Sequence, residues 1–166
     1  MMLRYVYGHD ETVAQFVAQL IPHAHGRTLT GKAIGVIDDE GKLIAGIVYH
    51  QYDPVAETIE ITGAALPGSR WLTRETIQRM YQYPFEQLGV QMIVQRTPAD
   101  AEHLLEQLAR GGYMFVKWPR MLGRDRDGVL CLFTSEAWDQ CKFNSKRKKP
   151  ERGNVEFMEW LNEEAA

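Results

Sequence analysis

The chain has little cysteine and no long apolar run. Its 166 residues include two cysteines, Cys131 and Cys141, whose separation does not match that of metal-binding cysteine pairs. We expect both to be reduced thiols of an intracellular protein. No apolar run approaches the roughly 20 residues that a membrane-spanning helix needs, and the first residues lack a secretory signal pattern. The sequence therefore predicts a cytoplasmic protein with no membrane partner.

The chain also lacks a strong excess of charge of either sign. Its formal net charge is −3, which excludes a surface coated with basic residues for nucleic acid but not a local basic segment. The hydrophobic fraction of 45% and the charged fraction of 25% are those of an ordinary globular protein. The length fits one domain with a substantial core.

The spacing of apolar residues predicts alternating strands and helices. We expect strands at residues 3–7, 33–38, 43–52, 57–65, 92–95, 113–118 and 129–133. We expect helices capped by Asp10, Thr73 and Ser135, and a further helix over residues 100–110 with Ala101, Leu104, Leu105 and Leu108 on its inner face. The predicted fold is α/β, with a mixed, mostly antiparallel sheet of about six or seven strands flanked by helices.

The chain is organised around a strand, a tight turn and a helix between Glu57 and Leu88. The turn from Leu66 to Leu72 leads to a helix start at Thr73, where unpaired backbone N–H groups and the helix dipole favour a phosphate. Arg70 and Arg74 would add positive charge at the same end. A plain strand-to-helix connection with solvated arginines is the alternative.

Three polar residues on neighbouring predicted strands are candidates for acid–base chemistry. Glu60 lies on the strand after the Asp53-Pro54 turn, and antiparallel pairing across that turn would bring His50 or Tyr52 close to it. Such a group could move a proton in catalysis. The alternative is a hydrogen-bonded surface cluster. The spacing supports no metal site here.

The sequence divides into a main domain and a distinct C-terminal region. Residues 1–141 form the predicted domain, 142–153 a basic linker, and 154–166 a short helix that docks on the body or on a second copy. A basic segment from Lys142 to Arg152 is also compatible with nucleic acid or an acidic partner. His23 and His25 are expected to be solvated loop residues, with metal binding as the alternative. We expect a monomer or a homodimer.

Several motifs, in their order and spacing, resemble those of one enzyme family. They are VYHQYDP at 48–54, IEI at 59–61, RWLTR at 70–74, YPFEQLG at 83–89 and LEQLARGGY at 105–113. Together they are similar to phage-encoded members of the GNAT family of acyl-CoA-dependent N-acyltransferases. The resemblance covers about residues 33–133.

The resemblance implies an acetyltransferase that uses acetyl-CoA and an amine-bearing acceptor. It implies a V-shaped splay between two parallel central strands, with the acyl chain in the gap, and a carboxylate base on the strand at residues 57–65, which is Glu60. His50 and Tyr52, placed beside Glu60 by the strand pairing above, complete the predicted catalytic group. The residues it implies for the cofactor are Ala64, Ala65, Leu66, Arg70, Trp71, Leu72, Thr73, Arg74 and Asp100. Bacteriophage relatives include Mom-like enzymes of DNA modification, so the acceptor could be a nucleobase, a protein or a small molecule in the host cytoplasm.

The chain departs from the family pattern in ways that support two alternatives. The cofactor turn lacks the usual glycines, Ala101 stands where an asparagine is common, and the following helix has no counterpart of the usual tyrosine acid. One alternative is a degenerate GNAT-fold protein that binds CoA or a partner without catalysis. The other is a phage nucleic-acid-binding or regulatory protein that uses the basic tail.

Overall fold

The computed structural model describes residues 1–21 and 29–146. Its strands are β1 (Arg4–Val6), β2 (Lys32–Ile37), β3 (Leu43–Asp53), β4 (Thr58–Ala65), β5 (Met92–Pro98), β6 (Met114–Gly123) and β7 (Arg126–Thr134). Its helices are α1 (Asp10–Leu20), α2 (Arg74–Gln82), α3 (Glu102–Gly111) and α4 (Ser135–Gln140), and a π-helical segment, Tyr83–Leu88, continues α2. The histidine pair His23 and His25, the predicted linker beyond Lys146 and the predicted C-terminal helix lie outside the described residues.

The strands form one mixed sheet, as predicted. Their order is β1-β2-β3-β4-β5-β7-β6, and every neighbouring pair is antiparallel except β4 and β5. This parallel pair is joined through α2 and keeps register only from Thr58 opposite Met92 to Glu60 opposite Val94. Beyond those positions the two strands diverge, which confirms the predicted splay at the centre of the sheet.

The start of α2 follows the local sequence closely. The Thr73 hydroxyl accepts a hydrogen bond from the Thr76 N–H at 3.2 Å, so Thr73 is the N-cap, as predicted. Glu75 in the first turn complements the positive end of the helix dipole. Gly89, at φ +70°, ends the π-helical segment in a conformation that favours glycine.

Two predicted helix caps are wrong, because in each helix the N-cap is the residue before the predicted one. Asp10 is the first residue of α1 rather than its cap, and its carboxylate accepts a hydrogen bond from the Ala33 N–H at 2.8 Å. This bond ties the start of α1 to β2. At α4 the cap is Thr134, whose hydroxyl accepts from the Ala137 N–H, and not Ser135.

Helices cover both faces of the sheet, and its central gap lies between these two layers. Helix α1 packs on one face through Val13, Ala14 and Val17. Helices α2 and α4 pack on the other face with a core of aromatic residues. The prediction for α3 holds in part, since Leu105 and Leu108 pack on this core while Leu104 is 37% exposed. Among the described residues no helix is long and apolar enough to cross a membrane.

Candidate active site

Two cavities border the region where β4 and β5 diverge. On the side of α2 and α3 lies an apolar cavity of about 130 Å³, whose lining includes Trp71 and Leu108. On the side of α1 lies a wider, more polar cleft of about 1110 Å³. Gly63, Gln95 and Leu104 line both. The two cavities therefore adjoin each other at the gap between the strands.

His50 and Glu60 face each other across β3 and β4 in the lining of the polar cleft. They are direct partners in the antiparallel register, and the His50 Nε2 lies 2.7 Å from the Thr62 hydroxyl. Burial lowers the pKa of His50 below its ordinary value; the Glu60 carboxylate opposes this shift and the Arg96 guanidinium adds to it. The imidazole is therefore neutral at neutral pH.

Glu60 is also paired with a residue that the sequence analysis did not identify. Its Oε1 lies 3.1 Å from the Nε of Arg96, and its side chain is only 13% exposed. Across the described residues, its Oε2 has no hydrogen-bond partner. The Arg96 guanidinium in turn lies 5.2 Å from the ring centroid of Trp118. Arg96 thus compensates the buried carboxylate charge and leaves one oxygen able to accept a hydrogen bond.

Tyr52 lines the same cleft, but it lies where the pairing of β3 with β4 is irregular. The register of β3 on β4 shifts between His50 and Asp53, and Gln51 takes a positive φ of 53° there. Tyr52 lies within this bulge, lines the cleft and is 47% exposed. The structure therefore brings all three predicted catalytic residues to one cleft, with His50 and Glu60 adjacent and Tyr52 beyond the irregularity.

The turn before α2 keeps part of its backbone free. The N–H groups of Leu66 and Ser69 are used within the turn region, by the carbonyls of Ile44 and Leu66 respectively. Across the described residues, the N–H groups of Arg70, Trp71 and Leu72 make no hydrogen bond. These three donors, together with the positive end of α2, suit a phosphate group even though the turn has few glycines.

Other residues predicted for the cofactor have structural partners. The Arg74 guanidinium donates to the Lys142 carbonyl at 2.9 Å and lies over the Phe143 ring. Asp100 is 80% exposed and lies 3.9 Å from Arg126. Neither residue lines the two cavities.

The remaining predicted cofactor residues fall into two groups. Leu72 and Trp71 line the apolar cavity, and the Trp71 ring end lies about 4.0 Å from the position that a Cβ on Gly63 would take. Ala64 and Ala65 line the polar cleft. These residues border the gap from both faces of the sheet.

The gap itself suits an extended ligand that carries amide groups. Among residues 1–21 and 29–146, no strand pairs with the edge of β4 that faces β5 from Ile61 to Ala65, so its backbone groups are available to a ligand. A thioester of CoA has such a chain, and the residues present fit it: free N–H donors at the turn, an apolar cavity and an open strand edge.

Comparison with solved structures gives the fold. No protein-family model matches the chain, and no curated protein matches it in sequence. Mutant forms of the spermidine/spermine N-acetyltransferase SpeG from Vibrio cholerae superpose with a TM-score of 0.64 at 14% identity, covering 80% of this chain and 95% of theirs. A dodecameric structure of spermidine N-acetyltransferase from the same organism gives 0.62 at 14% identity, covering 82% and 95%.

A structure described as a probable acetyltransferase gives a TM-score of 0.57 at 22% identity, covering 66% of this chain and 64% of its own. At these identities the likeness concerns the arrangement of strands and helices. The seven-stranded mixed sheet with flanking helices is that of these neighbours. The chain therefore has the fold of these neighbours, the GNAT fold.

Proposed function

We propose that this protein is an acyl-CoA-dependent N-acyltransferase, with acetyl as the transferred group. The observation that carries the proposal is the gap between β4 and β5, which joins an apolar cavity to a polar cleft through Gly63, Gln95 and Leu104. The cofactor would lie along the gap with its phosphates at the turn before α2. The acceptor amine would enter from the polar cleft and meet the acyl group at the passage.

Acyl-CoA, when bound, supplies a thioester carbonyl that an amine can attack. A nitrogen–carbon bond then forms, the carbon–sulfur bond breaks, a proton leaves the amine and the thiolate gains one. Glu60 is the proposed base, because its Oε2 faces no other partner among the described residues and can take the amine proton directly or through water. The unpaired edge of β4 would polarise the carbonyl with backbone N–H groups.

His50 and Tyr52 would act on the acceptor beside Glu60. The neutral His50, held by Thr62, can hydrogen-bond an incoming amine without repelling its positive charge. Tyr52, partly exposed in the cleft lining, is a candidate proton donor to the leaving thiolate. These roles are distinguishable by variants, since Tyr52→Phe removes a proton donor while keeping the ring.

The test measures CoA binding and CoA release separately. Acetyl-CoA should raise the melting temperature, because a ligand that binds only the native state stabilises it. Release of CoA is then followed with spermidine, amino acids, lysine-containing peptides and duplex DNA as acceptors. An unchanged melting curve with saturating acetyl-CoA and CoA would refute the proposal. CoA binding without release by any acceptor would favour a non-catalytic CoA-binding protein.

A further inference from the structure

We propose that the amine acceptor carries a carboxylate or phosphate group of its own, and that Arg126 binds this group. The inference rests on the proposed function, because it assigns a substrate class to the same cleft. It is argued from the charges and the apolar walls of that cleft.

The charged groups of the cleft leave an excess of positive charge. Its lining in the described residues contains three side chains that are charged at neutral pH, namely Glu60, Arg96 and Arg126. His50 adds no positive charge, because burial lowers the pKa of its imidazole and the ring is neutral at neutral pH. Arg96 compensates the charge of Glu60 at 3.1 Å, so the charge of Arg126 remains. A polycation would need several acidic groups here, whereas an acceptor with an anionic group complements this lining.

Arg126 has the freedom to bind such an anion. It is the first residue of β7, and its side chain is 41% exposed. It forms an ion pair with Asp100 at 3.9 Å, and the Asp100 side chain is 80% exposed. An exposed pair at this distance contributes little, so a carboxylate or phosphate can replace it. The planar guanidinium can hold either anion with two parallel hydrogen bonds.

The apolar walls of the cleft define the rest of the acceptor. Leu20, Ile21 and Leu29 lie on the wall near α1, and Met121 and Leu122 lie on the wall near the end of β6. These side chains would bury an apolar part of the acceptor. The structure therefore favours an amine with both an anionic group and an apolar body.

Pairs of amines that differ only in the anion test this inference. Phenylalanine is compared with phenethylamine for the carboxylate, and phosphoethanolamine with ethanolamine for the phosphate. Binding is measured by calorimetry on the full chain with saturating CoA, and turnover by CoA release with acetyl-CoA. In at least one pair the anionic amine should bind about tenfold more tightly. Arg126→Gln should remove most of this preference, and Arg124→Gln, which changes an arginine outside the cleft lining, should keep it.

The outcomes separate this inference from the proposed function. Equal or tighter binding of the amines that lack the anionic group, no binding by either anionic amine, or the same loss in Arg124→Gln would overturn the role of an anion at Arg126. Efficient CoA release with spermidine but not with the anionic amines would overturn it while supporting the acyltransferase. Binding of an anionic amine that depends on Arg126, without any CoA release, would support the anion site and contradict the enzyme.

Discussion

His50 lies directly opposite Glu60 on adjacent antiparallel strands, and both line the cleft that opens beside the splayed centre of the sheet. Because the two groups are neighbours, the protonation of one affects the other: the carboxylate favours the imidazolium, while burial and Arg96 disfavour it. The neutral form of the imidazole is favoured, because burial has the largest effect on the pKa of His50. The pair therefore presents an accepting carboxylate beside an uncharged histidine at neutral pH.

This arrangement predicts a loss of stability in mild acid. The pKa of His50 is lower in the folded chain than in the unfolded one, so the unfolded chain binds more protons below about pH 6.5. The free energy of unfolding should fall as the pH drops from 7 towards 5. In His50→Gln this part of the loss should be absent, and in His103→Gln, which changes an exposed histidine of α3, it should remain. Urea unfolding midpoints between pH 7 and pH 5 measure this loss of stability. If the midpoints of parent and His50→Gln fall in parallel with pH, the prediction is contradicted.

Replacement of Glu60 should separate turnover from cofactor binding. Glu60→Gln keeps the shape of the side chain and removes the base, so turnover should fall by roughly 10²–10⁴-fold. The affinity for CoA should stay nearly unchanged, because Glu60 lines the acceptor cleft and not the apolar cavity. Glu57→Gln, at an exposed position just before β4, is the control. Equal turnover in parent and Glu60→Gln would remove Glu60 from the mechanism.

Charge reversal at the turn before α2 should weaken cofactor binding. Arg70 is exposed beside three free backbone donors, so Arg70→Glu would place a negative charge where the phosphates are expected. The rise in melting temperature caused by acetyl-CoA should then largely disappear. Arg110→Glu, at the far end of α3, changes the net charge equally and should preserve the rise. If acetyl-CoA raises the melting temperature of Arg70→Glu as much as that of the parent, the phosphates do not bind at this turn.

Gly63 should control the size of the acyl group. A Cβ at this position would meet its nearest atom, the Gly46 carbonyl oxygen, at 3.5 Å, so Gly63→Ala should fold with a stability change within about 1 kcal/mol. The added methyl narrows the passage between the cavities. Turnover with butyryl-CoA should therefore fall roughly tenfold more than turnover with acetyl-CoA. An equal effect on both donors would show that the acyl group does not pass Gly63.

The thiol of Cys131 should be unreactive in the folded protein. Its side chain is fully buried, and burial raises the pKa of the thiol to about 11. The reactive thiolate is therefore scarce at pH 8. A thiol reagent should modify Cys131 only after denaturant is added, as mass mapping of the labelled peptide would show. Rapid labelling of Cys131 without denaturant would contradict its burial.

The sequence was most informative where local patterns decide the structure. The antiparallel pairing of β3 and β4 follows from the alternation of residues on both sides of the Asp53-Pro54 turn, so the proximity of His50 and Glu60 could be predicted. The cap at Thr73 is equally local. Asp10 shows the limit, because a residue able to cap α1 instead binds the distant Ala33 N–H.

The partners of Glu60 could not be read from the sequence. Arg96 lies on β5, two residues beyond Val94, the register partner of Glu60, and no local pattern specifies how β5 aligns with β4. Arg96 also lies just beyond the predicted end of this strand at residue 95, whereas the strand continues to Pro98. The strands β6 and β7 also extend further than predicted, because their hairpin continues into charged residues that show no apolar alternation.

The pairing of β4 with β5 is short, and this should affect amide hydrogen exchange. Three residue pairs join β4 to β5. In the part of the chain that the structure describes, the edge of β4 from Ile61 to Ala65 has no second strand beside it. A ligand bound there would take the place of a second strand and would link β4 to β5 through its own hydrogen bonds. Amides along this edge should exchange with solvent quickly in the free protein and slowly with CoA bound, while those between β2 and β3 exchange slowly in both.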